Sequence, residues 1–250
     1  IAASGHGTVQ VRPQLRIGLV VTGDEICPAG ETLKTGAIWD INTPMLHAAM
    51  THPAIAISEI HHVTDTQDAL SIALEELSTK VDLIVTSGGA SVGEEDHVKA
   101  ALAAIGGHVL FSGVAVKPGK PVSFGTTGNA MWLGLPGNPQ AALLMWHLFG
   151  TAVCDTTLGR APHLPRRRNV VTADNLYHKP GRCELRLATV VGQDGFGRDV
   201  VRFAAATQSG RVRLLPQADG YLIIPAETDH LAQGALIEFQ PFPNRCFEYG

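Results

Sequence analysis

Short apolar runs alternate with helical stripes over the first part of the chain. LRIGLVV (residues 15–21) is apolar almost throughout and ends in Thr22-Gly23-Asp24, the pattern of a strand covered on both faces that runs into a loop. Residues 43–50 predict a helix with Thr43 as its cap and Pro44 at its first position. AIAISEI (54–60) predicts a second strand. Residues 68–77 set Leu70, Ala73, Leu74 and Leu77 at helical spacing. DLIVT (82–86) predicts a third buried strand closing on Ser87-Gly88-Gly89, and residues 94–105 a helix with acids in its first turn. After the turn VAVKPGKPVSFG (114–125), residues 130–133 predict a strand and 140–148 or beyond a helix. This alternation predicts a three-layer, mostly parallel α/β domain.

The pattern changes near Arg160-Ala161-Pro162-His163-Leu164-Pro165. Beyond it, short alternating runs such as CELRLATVV and ADGYLIIPA are separated by Gly, Asp and Asn, which predicts a small all-β module of sandwich or barrel type. The expected division is a tail at 1–13, an α/β domain at 14–161 and a β domain at 162–250.

Composition narrows the partners. The net charge of -4 argues against bulk nucleic-acid binding, so any anionic ligand must be held by a local cluster. Every apolar run is too short to span a bilayer. Cys27, Cys154, Cys183 and Cys246 form no CxxC or Cys/His ligand spacing, which points to a reduced, cytoplasmic protein. The chain starts at Ile1 rather than Met, as expected of a processed chain or a piece of something longer.

In an open α/β sheet, ligands sit outside the carboxyl ends of the strands, and four loops are expected there. Thr22-Gly23-Asp24-Glu25 brings acids straight after a strand. Ser87-Gly88-Gly89-Ala90-Ser91-Val92-Gly93 offers glycine N–H groups and two hydroxyls, then enters a helix. Pro136-Gly137-Asn138-Pro139 does the same at another helix start. In the fourth loop, Pro118 and Pro121 stiffen a turn that Gly119 sharpens, and Lys117 and Lys120 stand on it three residues apart. A rigid turn lowers the entropy lost when both ammonium groups converge on an oxyanion such as phosphate or molybdate. Each loop alone matches an ordinary turn; four at one edge imply a site.

Asp24, Asp65 and Asp96 follow strands or enter helices at that edge. With phosphate oxygens and water, such carboxylates make typical Mg²⁺ surroundings, while Asp65 and Asp96 also read as helix-start acids. The eleven histidines include His61-His62, but neighbours in a strand face opposite ways, and no HExxH occurs; they are expected not to be ligands. The residues thus predict an α/β domain that binds a phosphorylated ligand with Mg²⁺.

In order, TGDE, IxDxN (Ile38, Asp40, Asn42), SGGxSVGxxD (87–96), VKPGKP and GLPGNPxxA resemble MoeA-type molybdopterin molybdenumtransferases, which include the C-terminal part of gephyrin. The resemblance runs over about residues 14–150, and a small β domain follows as in that family. It implies a transferase of molybdenum cofactor biosynthesis, which inserts molybdate into adenylylated molybdopterin and releases AMP. The implied substrate-binding residues are Thr22, Gly23, Ser87, Gly88, Gly89, Ser91, Gly93, Pro136, Gly137 and Asn138. Asp24 and Asp96, with Asp65, would place Mg²⁺; Lys117 and Lys120 would orient molybdate. From the β domain, Arg182 and Ser209 would face the oxyanion. Where the family tends to read Gly-Arg-x-Glu-Phe-x-Arg this chain reads Gly-Arg-Cys-Glu-Leu-Arg-Leu, shifting Arg186 by one position and thus to the other strand face. Family members carry roughly 150 further residues in two preceding domains. The resemblance implies that these contribute to a homodimer in the full-length form. Related readings are a MogA-type adenylyltransferase, and a non-catalytic binding or scaffold module of the same fold, including the domain of competence-damage proteins.

Overall fold

Alternate residues of the Leu15–Thr22 strand enter opposite cores, and this places helices on both sides of the sheet. The computed structural model describes residues 1–89, 96–160, 167–203 and 212–243. The chain runs through β1 (Leu15–Thr22), β2 (Ile26–Cys27), β3 (Ile38–Trp39), α1 (Asn42–Met50), β4 (Ile55–Val63), α2 (Gln67–Lys80) and β5 (Leu83–Ser87). It continues with α3 (His97–Ala104), β6 (His108–Ser112), β7 (Val116–Lys117), β8 (Ser123–Thr127), β9 (Ala130–Leu135) and α4 (Pro139–Met145). A π-helical turn at Trp146–Gly150 leads into α5 (Thr151–Thr157).

The first sheet has the order β4-β1-β5-β9-β8-β6. Its first four strands are parallel, and β8 and β6 add an antiparallel edge. Ile17, Leu19 and Val21 pack with Leu46 and Met50 of α1 and with Ala142 and Met145 of α4. Val20 faces the other way, onto Leu70, Leu74 and Leu77 of α2 and Val98 and Leu102 of α3. Complete burial of such side chains contributes roughly 1.5–3 kcal/mol each. A Cβ at Gly18 would come within 2.9 Å of Leu77 Cδ2, so glycine lets α2 lie close on the strand.

Several elements differ from expectation. Helix α1 begins at Asn42, and Thr43 is not its cap: Asp40 Oδ1 accepts from Thr43 N at 3.0 Å instead. Helix α3 begins at His97 and is capped by Asp96. The helix expected through 148 or beyond does continue, through the π turn to Thr157. Strands β6 and β8 were not expected, because neither the mostly exposed edge strand β6 nor the Ser/Gly/Thr-rich β8 presents a continuous apolar run.

The later part holds β10 (Arg168–Thr172), β11 (Leu176–Tyr177), β12 (Cys183–Gln193), β13 (Asp199–Phe203), β14 (Gly220–Ile224), β15 (His230–Leu231) and β16 (Leu236–Pro241). The sheet order is β13-β10-β16-β14-β12-β7, and β13 also pairs with β12, so five strands close into a barrel. Its interior takes Val170, Ala188, Val201, Leu222, Ile224 and Phe239. On β12 the alternate residues Leu185 and Leu187 join Met145 and Trp146 in the α/β core. Strand β7 lies inside the α/β stretch of the sequence yet pairs in parallel with β12. The two parts therefore share both a core and a strand pairing. Among the described residues no helix is long and apolar enough to cross a membrane.

Candidate active site

Strand register brings the loops together. Val21 pairs with Ser87, Thr22 with Val63, and Ser87 with Leu135, so four parallel strands end at one edge. Ser123, which opens β8, pairs with Gly134, so the lysine turn emerges at that edge too. Thr22, Gly23, Asp24, Asp65, Ser87, Gly88, Gly89, Pro136, Gly137 and Asn138 are thereby gathered. Ser91, Gly93 and Ser209 lie outside the described residues.

The crevice is lined by backbone. Gly88 has φ +96°, and a Cβ there would fall 1.9 Å from the Thr22 carbonyl oxygen. A Cβ at Gly137 would be 3.3 Å from Gly88 Cα, so the two glycine loops touch almost backbone to backbone. Asn42 holds them in place: its Nδ2 donates to Ser87 Oγ at 2.9 Å and to the Gly137 carbonyl at 2.8 Å. Asn42 was not among the predicted site residues, although the Asp40-x-Asn42 pattern just before a helix was its signal. Asn42 Oδ1 and Thr22 Oγ1 are buried with no hydrogen-bond partner among the described residues. Buried polar atoms of this kind normally find a partner, so both suit a bound polar ligand. Asn138 Oδ1 accepts from Ala141 N at 3.1 Å and caps α4, with Pro139 at the first position.

The three acids differ. Exposed Asp24 accepts from the backbone N of Asp65 through Oδ1 at 3.2 Å, which ties the loop after β1 to the loop after β4. Asp65 Oδ1 lies 3.5 Å from His97 Nδ1. Asp96 is committed to its own helix, with Oδ1 accepting from Lys99 N at 3.1 Å and Oδ2 2.9 Å from Lys99 Nζ. Among the described residues no group of three or more His, Cys, Asp or Glu is arranged to hold a metal ion. Mg²⁺ commonly takes only one or two protein carboxylates, completed by phosphate and water.

Behind the crevice, His62 Nε2 lies 2.8 Å from Asp40 Oδ2, and His61 pairs with Glu59 at 2.9 Å. Burial pushes the Asp40 carboxyl up, but hydrogen bonds from Thr43 and His62 outweigh it and hold Asp40 below the usual carboxylate range.

The lysine turn rests on α4: Gly119 has φ +122°, and a Cβ there would strike Met145 Sδ at 2.4 Å. Lys120 is exposed and Lys117 half-buried. The parallel pairing sets Cys183 against Val116 and Glu184 against Lys117; exposed Arg182 comes just before this pairing, on the Ala115 side. Arg186 lies on the barrel-facing side of β12 with Glu184. Its Nε and Nη2 donate to Glu184 Oε1 at 3.1 and 2.9 Å, and Nη2 also donates to the Tyr177 carbonyl at 3.1 Å. It is thus a buried structural partner.

An open sheet with a glycine-lined crevice at its carboxyl edge, fused to a barrel that pairs with a strand from that edge, defines a ligand-binding α/β domain with a β module. The chain belongs to the family described as "Probable molybdopterin binding domain", whose model matches residues 18–155. Residues 169–242 match the MoeA C-terminal region (domain IV). The chain is 28% identical over 249 residues to the molybdopterin molybdenumtransferase of Haemophilus influenzae, covering 97% of this chain and 60% of that protein. It is 31% identical over 243 residues to molybdopterin molybdenumtransferase 2 of Mycobacterium tuberculosis, covering 95% of this chain and 59% of that one. The crystal structure of a molybdopterin biosynthesis MoeA protein from Pyrococcus horikoshii superposes with a TM-score of 0.76 at 26% identity, over 92% of this chain and 55% of that one. The chain thus spans somewhat over half the length of these relatives.

Proposed function

We propose that the protein is a molybdopterin molybdenumtransferase, which inserts molybdate into the dithiolene of adenylylated molybdopterin with release of AMP, within molybdenum cofactor biosynthesis. The observation that carries this reading is Asn42 joining Ser87 to Gly137, which makes one crevice from two glycine loops at the sheet edge. Relatives that bear this activity as their name match both parts of the chain.

In this reading Thr22, Gly23, Ser87–Gly89 and Pro136–Asn138 receive the pterin and its phosphates through backbone and side-chain donors, with Ser91 and Gly93 on the same loop. Asp24 and Asp65 hold Mg²⁺, which when bound screens phosphate charge and polarises the phosphoanhydride. Asp96 acts through the cap of α3. Lys120 and Lys117, with Arg182 and Ser209 from the barrel, neutralise and orient the oxyanion. Positioning and charge stabilisation supply the catalysis, so no nucleophilic side chain is required. We place the division between the α/β and β parts near residue 162. We further propose that the full-length protein is a homodimer. Its location is the cytoplasm, a reading supported by the free thiols of Cys27, Cys154 and Cys183.

The test mixes the protein and Mg²⁺ with adenylylated molybdopterin and molybdate, or with molybdopterin and ATP. AMP release that depends on molybdate supports the proposal. Adenylyl transfer from ATP in its place would reassign the protein to the preceding step.

A further inference from the structure

The oxyanion turn does not orient itself. Lys117 Nζ lies 4.0 Å from Oε2 of Glu184, a carboxylate only 2% exposed on the barrel-facing side of β12. That carboxylate is itself fixed. Oε1 takes two donors from Arg186, whose guanidinium also lies 5.8 Å from the centre of the Phe203 ring. Oε2 faces His178 Nε2 at 3.6 Å, and His178 is 3% exposed with Nδ1 donating to the Thr228 carbonyl at 2.6 Å. Backbone pairing of Glu184 with Lys117 sets the register of the approach. The charge attraction of an anchored buried carboxylate biases a flexible lysine beside it towards one orientation before any ligand arrives.

We propose that Glu184 is a positioning residue for the oxyanion site: it holds Lys117 in the orientation that meets the anion, and exposed Lys120 supplies the freer charge. The inference rests on the reading of the lysine turn as an oxyanion site. Two opposing effects separate it from a bystander role. A carboxylate next to an anion site repels the anion, so removing a mere bystander would tighten binding. Removing a positioning residue weakens it.

The experiment measures binding of molybdate alone to the 250-residue chain by calorimetry, for the wild type, Glu184→Gln, Lys117→Met and the double variant, with melting temperature recorded for each. Glu184→Gln is expected to weaken binding about fivefold, and to have no further effect in the Lys117→Met background, since coupled residues are non-additive. Glu184→Asp keeps a charge for Arg186 but withdraws it from Lys117, so it gives the same reading if Glu184→Gln fails to fold. Wild type that does not bind molybdate, or Lys117→Met that binds it unchanged, would overturn the oxyanion reading itself and the proposal with it. If Lys117→Met weakens binding while the folded Glu184 variant binds unchanged, more tightly, or with the same loss in both backgrounds, only the positioning role falls.

Discussion

At the crevice, Asn42 joins two loops with neutral hydrogen bonds, and glycine backbone lies against glycine backbone. At the barrel, buried Glu184 gathers buried Arg186 and His178 on one side and the half-exposed Lys117 on the other. Both serve one sheet edge, yet they respond differently to damage. Neutral hydrogen bonds contribute about 1 kcal/mol net each, so the crevice should loosen by degrees. A buried charge that loses its partner has no solvent to replace it, so the cluster should fail steeply.

The largest expected effect is at the barrel. Arg186→Met leaves Glu184 buried without its main partner and should cost about 3–5 kcal/mol, read as a fall in the urea midpoint. A loss near zero would mean that the cluster is no stiffer than the crevice. Next comes Gly88→Ala, which combines φ +96° with a Cβ 1.9 Å from the Thr22 carbonyl oxygen. It should cost about 3 kcal/mol by the same assay and would show that the crevice has one brittle point, its backbone.

The packing of the α/β part on the β part supplies a pH test. His147 packs on Phe242 with ring centres 5.0 Å apart, and burial pushes its imidazole down from 6.5 to about 4. With the folded value depressed, the protonated form is the disfavoured one. The contribution is complete above pH 6.5 and is lost as pH falls towards 4, by about 2 kcal/mol for this half-buried ring. His147→Phe should flatten the stability profile between those pH values; an unchanged profile would move the acid sensitivity elsewhere. The smallest effect is expected from Asn42→Ala, about 1–2 kcal/mol for two hydrogen bonds, with ligand affinity falling more than stability. Equal loss of both would make Asn42 a structural tie only.

Much of the frame was legible from local pattern. Continuous apolar runs marked β1 and β5, because strands buried on both faces need apolar residues at every position. The stripe of Leu70, Ala73, Leu74 and Leu77 marked α2, since only one helical face meets the sheet. Glycines and prolines marked the loops, and at Gly88 and Gly119 a positive φ with no room for a Cβ is the reason. These are properties of a residue and its near neighbours along the chain.

What tertiary structure decided are the pairings between distant segments. Asn42 meets Gly137 across 95 positions, Glu184 meets Lys117 through a strand pairing between the α/β and β parts, and Asp96 binds Lys99 of its own helix. A carboxylate or an amide has the same local signature whether it caps a helix, holds a metal or steadies a lysine. Its role is set by which groups the fold brings within about 3–4 Å, where hydrogen bonds and ion pairs form, and that information lies in the packing of the sheet and the barrel.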